Sequence, residues 1–410
     1  MIGVILAAGK GTRMHLKEKG RSKCMLPVEG EPLLIRKIRQ IADSGCVRKL
    51  ILVVREEDKE IRETIGSFWN NVPVTYVIQD KKRPGLVNAL YSVPEYESWR
   101  DETVLVNLGD EYYGSLDYHN LAESHMQEGA DLTAVLVPTL DESKICNNYT
   151  AELEIGGRIR GAKEKPDCPF NQYIGCGTLV IRGKILVDFA QRMKAVRPFA
   201  EFDGLELTDW INVAVREERI CRAYLYEGLY CNLNTDEDYR YLSALAGERG
   251  IREFIYGDFL YLSVSEDYAG NLGTVRNQLL EVMAEYELPR RIWFVRDGKL
   301  PDLRFRRCES DCEYTEAGNW LEQALCQVWK DLLQVSQVGI YDNFFHLGGN
   351  YTMAKRLVSQ IRSRLRIRVP VSRILIAEPT VHQIACNIKK YLEGSENENF
   401  AGTEFRVSLL

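Results

Sequence analysis

The sequence predicts an α/β domain over residues 1–248, a small α+β subdomain over 249–312, a helical bundle over 316–393 and a tail over 394–410. Three observations carry that reading. Apolar strand-like runs alternate with amphipathic helix-like runs from residue 1 to about 140, which is the pattern of βαβ units around a largely parallel sheet. The pattern then shifts to shorter strands and, beyond Gly318, to helices alone. A chain of 410 residues is also too long for one ordinary core, so two or three domains are expected.

In chain order, the expected strands of the first part are Gly3–Ala7, Leu50–Val54, Val74–Gln79, Val104–Leu108 and Leu132–Val137, with helices at Leu33–Asp43, Glu57–Ser67 and Leu86–Ser92 between them. Ligands of such sheets sit outside the carboxyl ends of the strands, where Gly9–Arg13 and Gly109-Asp110 fall. Shorter strands follow at Thr150–Glu154, Arg158–Ala162 and Tyr173–Ile181, then helices near Ile185–Met193, Leu207–Val215 and Asp236–Leu245, with Gly247–Gly250 as the exit. The α+β part shows a strand (Phe259–Val264), a helix (Val275–Glu285) and a second strand (Arg291–Val295). Cys308–Gly318 reads as a polar linker, and Leu321–Leu333, Tyr351–Leu365 and Val381–Leu392 as helices.

Composition excludes several classes. Apolar residues make up 45% and charged residues 27%, as in ordinary globular proteins. No apolar run reaches the length of a membrane span. The opening Ile2–Ala8 has no basic segment before it and stops at Gly9-Lys10-Gly11, so it reads as a buried strand rather than a signal peptide. A net charge of −6 argues against nucleic acid as a partner. Eleven scattered cysteines suit a reducing, cytoplasmic setting. Cys308 and Cys312 lack a second pair at zinc-site spacing.

The chemistry concentrates first in Leu6-Ala7-Ala8-Gly9-Lys10-Gly11-Thr12-Arg13-Met14, directly after the first strand. Glycines there let backbone N–H groups approach phosphate oxygens, and Lys10 and Arg13 add positive charge. The Gly-Lys-Ser/Thr ending of a P-loop is absent. Lys23 follows, then Met25-Leu26-Pro27-Val28. The run from Leu6 to Val28 resembles the signature of the sugar-1-phosphate nucleotidyltransferases, with Ser22 where that family usually has Pro.

The resemblance continues in order to Asn232. It implies a Rossmann-like mixed sheet and a site in which Ala8, Gly9, Lys10, Gly11 and Thr12 bind the nucleotide, with Gln79 and Gly85 at the base. Asp110, in Leu108-Gly109-Asp110, resembles the family's Mg²⁺ ligand. Glu164-Lys165-Pro166 resembles the motif whose Glu meets sugar hydroxyls and whose Lys meets the phosphate. Gly177 and Glu206 resemble residues of the sugar pocket and of the Glu-x-x-x-Asp region. Asn232, in Tyr230-Cys231-Asn232, stands where the family often has a second metal-binding Asp; its amide oxygen still suits Mg²⁺. That Asn, and the opening loop, are closest to the uridylyltransferase branch.

The implied reaction is attack of a substrate phosphate on the α-phosphorus of an NTP, with release of pyrophosphate. It needs positioning and charge neutralisation rather than a general base. Arg13, Lys23 and Lys165 are the expected catalytic cations, and Mg²⁺ is the expected cofactor. UTP or dTTP with a sugar 1-phosphate is the first reading. A cytidylyltransferase for a phospho-alcohol or phosphonate is the alternative, since a Gln amide can be flipped to suit other bases. A non-catalytic scaffold is a third, of another class.

Val338–Gly349, followed by Asn350-Tyr351-Thr352-Met353-Ala354, resembles the attachment region of peptidyl carrier domains of nonribosomal peptide synthetases, which are four-helix bundles. Tyr351 occupies the place of the serine that carries phosphopantetheine, and Thr352 is one residue late. Covalent phosphopantetheine is therefore not expected. Leu280–Val295 resembles the C-terminal subdomain of an adenylation enzyme, without its catalytic Lys motif. A peptide-synthetase or carrier-linked protein is the partner this implies. The basic residues from Lys355 to Arg368 are either a solvated face or a docking surface for an acidic domain.

Overall fold

A computed structural model describes residues 1–9, 11, 13–14, 22–197, 202–256, 259–284, 287–289, 291–296, 313–333, 335–349, 351–365 and 379–395. Lys10, Thr12, residues 308–312 of the expected linker, with Cys308 and Cys312, and the tail from residue 396 lie outside them. The chain divides into two compact units, Met1–Glu253 with Ser263–Tyr268, and Phe254–Leu262 with Ala269–Leu410.

The first unit opens with β1 (Ile2–Leu6), the short pair β2 (Pro27–Val28) and β3 (Glu31–Pro32), α1 (Leu33–Asp43), β4 (Lys49–Val54), α2 (Lys59–Ile65), β5 (Phe68–Trp69) and β6 (Val72–Ile78). It continues through α3 (Leu86–Tyr91), β7 (Thr103–Leu108), β8 (Glu111–Tyr113), α4 (Tyr118–Gln127) and β9 (Leu132–Pro138). Next come α5 (Glu142–Cys146), β10 (Tyr149–Leu153), β11 (Ile159–Glu164), β12 (Tyr173–Arg182), α6 (Gly183–Val196), α7 (Leu207–Arg216), β13 (Cys221–Leu225), β14 (Tyr230–Asn232) and α8 (Asp236–Leu245).

β7, β1, β4 and β6 are parallel neighbours, as expected from the alternating pattern. The sheet as a whole is mixed, as the resemblance implies, although the alternating pattern alone suggests a largely parallel one. β12 lies antiparallel to β7 on one edge and to β9 on the other, and the β10–β11 hairpin adjoins it. The path runs β11-β10-β12-β7-β1-β4-β6-β5, with β9 and β13 attached through β12.

β1, β4 and β7 are mainly apolar because both faces of the sheet are covered there. Their side chains divide by strand alternation. Ile2, Val4, Leu6, Val104 and Val106 join one core, together with Leu90, Phe189 and Trp210 from α3, α6 and α7. Ile5, Leu50, Leu52 and Leu105 join the other, with Ile38 of α1, Ile61 of α2 and Leu121 of α4. The result is a three-layer sandwich that holds the carboxyl ends of β1 and β7 side by side. Gly109 makes their close approach possible: a Cβ there would lie 2.9 Å from that of Ala7.

β15 (Ile251–Tyr256) was not among the expected strands. It begins a three-stranded sheet with β16 (Leu260–Val264) and β17 (Ile292–Val295). By contacts, the first compact unit includes the opening of β15 as far as Glu253. The second unit adds α9 (Leu272–Val282), α10 (Trp320–Leu333), α11 (Tyr351–Leu365) and α12 (Val381–Ser395). Three of the four helices expected of the carrier-like bundle are thus among the described residues. Their core gathers Leu325, Trp329, Phe344, Leu357, Ile361 and Ile384, with the Trp329 and Phe344 rings edge to face at 5.0 Å.

Candidate active site

The carboxyl ends of β1, β4, β6 and β7 open onto a cavity of about 550 Å³. Five expected residues line it: Ala8, Gly9, Gln79, Gly85 and Asp110. Gly11 adopts φ +55° and Gly85 φ +103°, the left-handed region that favours glycine. Gly85 turns the chain into α3. The Gln79 Nε2 donates to the carbonyls of Arg83 and Gly85, both at 2.9 Å. Those two acceptors fix the amide's orientation and leave its oxygen for a ligand's donor.

Lys23 lies buried on a short 3-10 turn capped by Ser22. Its ammonium pairs with the Asp110 carboxylate and donates to the Leu233 carbonyl at 2.9 Å. Arg13 reaches Asn234 Oδ1 at 3.2 Å. The Leu233 N–H in turn donates to the Asp110 carbonyl at 2.9 Å. β14 pairs antiparallel with β8, placing Asn232 opposite Glu111. The two expected metal positions, far apart in sequence, are thus held on adjoining segments.

The donor set fits Mg²⁺. Asn232 Oδ1 is buried and accepts no hydrogen bond from the protein, which is costly unless a ligand satisfies it. An amide oxygen and the Asp110 carboxylate are the hard donors that this cation prefers. Among the described residues no cluster of three or more His, Cys, Asp or Glu side chains could hold a metal by itself, so phosphate oxygens and water would complete the shell.

Glu164, Lys165 and Glu206 form a second cluster. Lys165 has φ +42°, an uncommon conformation for a side-chain-bearing residue, and its N–H donates to the Asn148 carbonyl at 2.6 Å. Burial, then the charge of Glu206, pushes the Glu164 carboxyl up to about 7, while Lys165 opposes the rise. Burial raises Glu206 as well. Glu206 precedes α7, and its N–H donates to Asp209 Oδ2 at 2.8 Å. Gly177 packs behind the cavity: a Cβ there would sit 2.1 Å from Leu108 Cγ. Tyr351 belongs to the second unit, where it opens α11. Of the basic run after it, Arg364 pairs with Asp331 of α10.

Two features went unread in the sequence. Arg55, at the end of β4, lines the cavity and is held by Asp58, with Nε–Oδ2 at 2.9 Å. An arginine at the carboxyl end of a buried strand is the signal that could have marked it. Beneath Asp110, Glu111 and Lys37 are both buried; the Lys37 ammonium makes no hydrogen bond among the described residues and lies 5.0 Å from the centre of the Tyr113 ring. Glu111 accepts from the Gly177 N–H and the Tyr230 hydroxyl, each at 2.7 Å. Burial raises its pKa and lowers that of Lys37, and each charge opposes the other's shift. Cys24 also lines the cavity, but burial pushes its thiol up to about 12, so it is no nucleophile.

The α/β fold that holds these residues agrees with the comparisons. Residues 2–223 match the Nucleotidyl transferase family model. The chain belongs to the nucleotidyl transferase family. It is 26% identical over 238 residues to UTP–glucose-1-phosphate uridylyltransferase AglF of Haloferax volcanii, covering 58% of this chain and 93% of that protein. A Bacillus anthracis protein assigned as a glucose-1-phosphate thymidylyltransferase has the same fold, with a TM-score of 0.53 at 22% identity over 63% of this chain and 98% of that one.

The nucleotidyltransferase carries a carrier-like domain behind it. Residues 323–385 match the Phosphopantetheine attachment site model. Gramicidin S synthase 2 of Brevibacillus brevis is 26% identical over 158 residues, 36% of this chain. The chain spans only 3% of that synthase's length. No helix among the described residues is long and apolar enough to cross a membrane.

Proposed function

We propose that the first unit transfers a nucleoside monophosphate from UTP or dTTP to a sugar 1-phosphate, releasing pyrophosphate. The observation that carries this is the convergence of Gly9, Lys23, Asp110 and the unpartnered Asn232 oxygen at the end of the sheet. The uridylyltransferase relative supports the substrate class. Gln79 supports the base: its free amide oxygen matches the imino N–H of uracil or thymine, whereas the corresponding ring nitrogen of cytosine is an acceptor.

The sugar phosphate oxygen forms the new bond to the α-phosphorus, and the bond from the α-phosphorus to the pyrophosphate oxygen breaks. The electron pair leaves on pyrophosphate. Because the nucleophile is already anionic, the chain's task is alignment and charge stabilisation. Arg13 and Lys23 stabilise the transferred and departing phosphates. Lys165 holds the incoming phosphate, and the ionised Glu164 accepts hydrogen bonds from sugar hydroxyls. Asp110 and Asn232 would hold Mg²⁺, which when bound neutralises phosphate charge.

The carrier-like region acts without a phosphopantetheine arm, since a phenol at Tyr351 replaces the hydroxymethyl group that bears it. Its place is then in docking to peptide-synthetase-type proteins, in a pathway that consumes the activated sugar. Pyrophosphate release measured for each NTP with sugar 1-phosphates tests the catalytic reading; turnover restricted to CTP with a non-sugar phosphate would replace it.

A further inference from the structure

Glu253 lies on β15, past the last of the family's motifs, yet its side chain is turned into the first unit and the residue is only 7% exposed. It accepts the Thr139 hydroxyl and, on its other oxygen, the Leu140 N–H at 2.8 Å. Lys144 Nζ lies 3.8 Å away. A buried carboxylate is costly unless its partners are well placed, and here it gathers the groups that launch α5.

From that anchor a continuous chain of bonds leads to the acceptor cluster. Thr139 Oγ1 also accepts the Asp141 N–H at 3.0 Å, and Asp141 caps α5 through the Ser143 N–H. Ile145 fixes the short helix in the core. At its far end Asn148 donates back to the Lys144 carbonyl at 2.9 Å, and its own carbonyl receives the Lys165 N–H. Lys165 holds its left-handed conformation only while that acceptor stays in place, because the isolated residue disfavours it.

We propose that Glu253 is a positioning residue for the acceptor-phosphate site: by fixing Thr139 and Leu140 it sets α5, and through Asn148 it sets the backbone of Lys165. The residue lies immediately before the chain passes into the second unit, so the catalytic unit depends on sequence beyond its family match at residue 223. The role at the acceptor site rests on the functional reading above.

The test uses the full-length chain with Glu253→Ala and Thr139→Val, the latter preserving shape while removing the donor. Steady-state kinetics should show the KM for sugar 1-phosphate rising about ten-fold, with the KM for the NTP within about two-fold. Glu253→Gln, which keeps one acceptor oxygen, should recover part of the loss. Hydrogen exchange should accelerate at residues 140–148 and at the Lys165 amide, with β1 and β4 unchanged. An unaltered acceptor KM in both variants, or both KM values rising together, would overturn the proposal. If the unsubstituted chain turns over no sugar 1-phosphate, the functional reading fails, and exchange alone decides the coupling: unchanged protection at Lys165 refutes it.

Discussion

Lys23 and Asp110 are bound as an ion pair at the end of the sheet, with the same ammonium donating to the Leu233 carbonyl beside Asn232. One cation thereby ties the signature loop, the end of β7 and the strand that carries the second metal position. On the proposed reading, a triphosphate entering the cavity would find its cation and its acidic ligand already aligned, with little reorganisation during the reaction.

Lys23→Ala, Asp110→Ala and Arg13→Ala should each reduce pyrophosphate release at least about a hundred-fold, with circular dichroism and melting behaviour showing a retained fold. Normal turnover in all three would remove the catalytic assignment.

The acceptor KM should fall as pH rises through about 7, because Glu164 must be ionised to accept sugar hydroxyls and its carboxyl is held up to about 7. Glu206→Gln removes the neighbouring negative charge and should move that limb to lower pH. Stability follows with a defined sign. The folded pKa lies above the ordinary 4.5, so this group's contribution is complete below 4.5 and is lost as pH rises through about 7. Denaturant titrations of Glu164→Gln should show a flatter decline across that window.

Lys37→Met leaves Glu111 buried without its counter-charge. Methionine also removes an ammonium that is buried without a hydrogen-bond partner among the described residues, so urea unfolding should show a smaller loss than breaking a hydrogen-bonded buried ion pair. The double variant with Glu111→Gln should recover part of the loss.

Gly177→Ala places a methyl group 2.1 Å from Leu108 Cγ. Overpacking of this kind costs about 1–3 kcal/mol. Thermal unfolding should report it, together with weaker nucleotide binding, since Leu108 lines the cavity.

Treatment with a phosphopantetheinyl transferase and coenzyme A should leave the mass of the chain unchanged, whereas Tyr351→Ser should gain one phosphopantetheine. A gain in the unsubstituted chain would place the arm on another residue and restore carrier chemistry.

Local signals made much of the fold legible. Leu33–Asp43 and Asp236–Leu245 have the expected bounds: Pro32 precedes the first, and Thr235 caps the second by accepting the Asp238 N–H at 3.1 Å. Strand direction was not legible. β12 is buried along nearly all its length because it is paired on both edges and covered on both faces, and such a run reads alike in either direction. β15 escaped notice because Glu253 interrupts its apolar alternation, for a reason visible only once Thr139 lies beside it.

The site divides in the same way. Contiguous motifs placed Gly9, Gln79, Gly85 and Asp110 around one cavity. Glu111 was passed over although it adjoins Asp110, because nothing in the sequence reveals that Lys37, Tyr230 and Gly177 converge on it.

The most direct measurement is pyrophosphate release from a matrix of NTPs against sugar 1-phosphates and phospho-alcohols, with Mg²⁺ present. The account predicts turnover with UTP or dTTP and a sugar 1-phosphate, lost in Asp110→Ala. Turnover confined to CTP with a phospho-alcohol, or none with any pair, would contradict it.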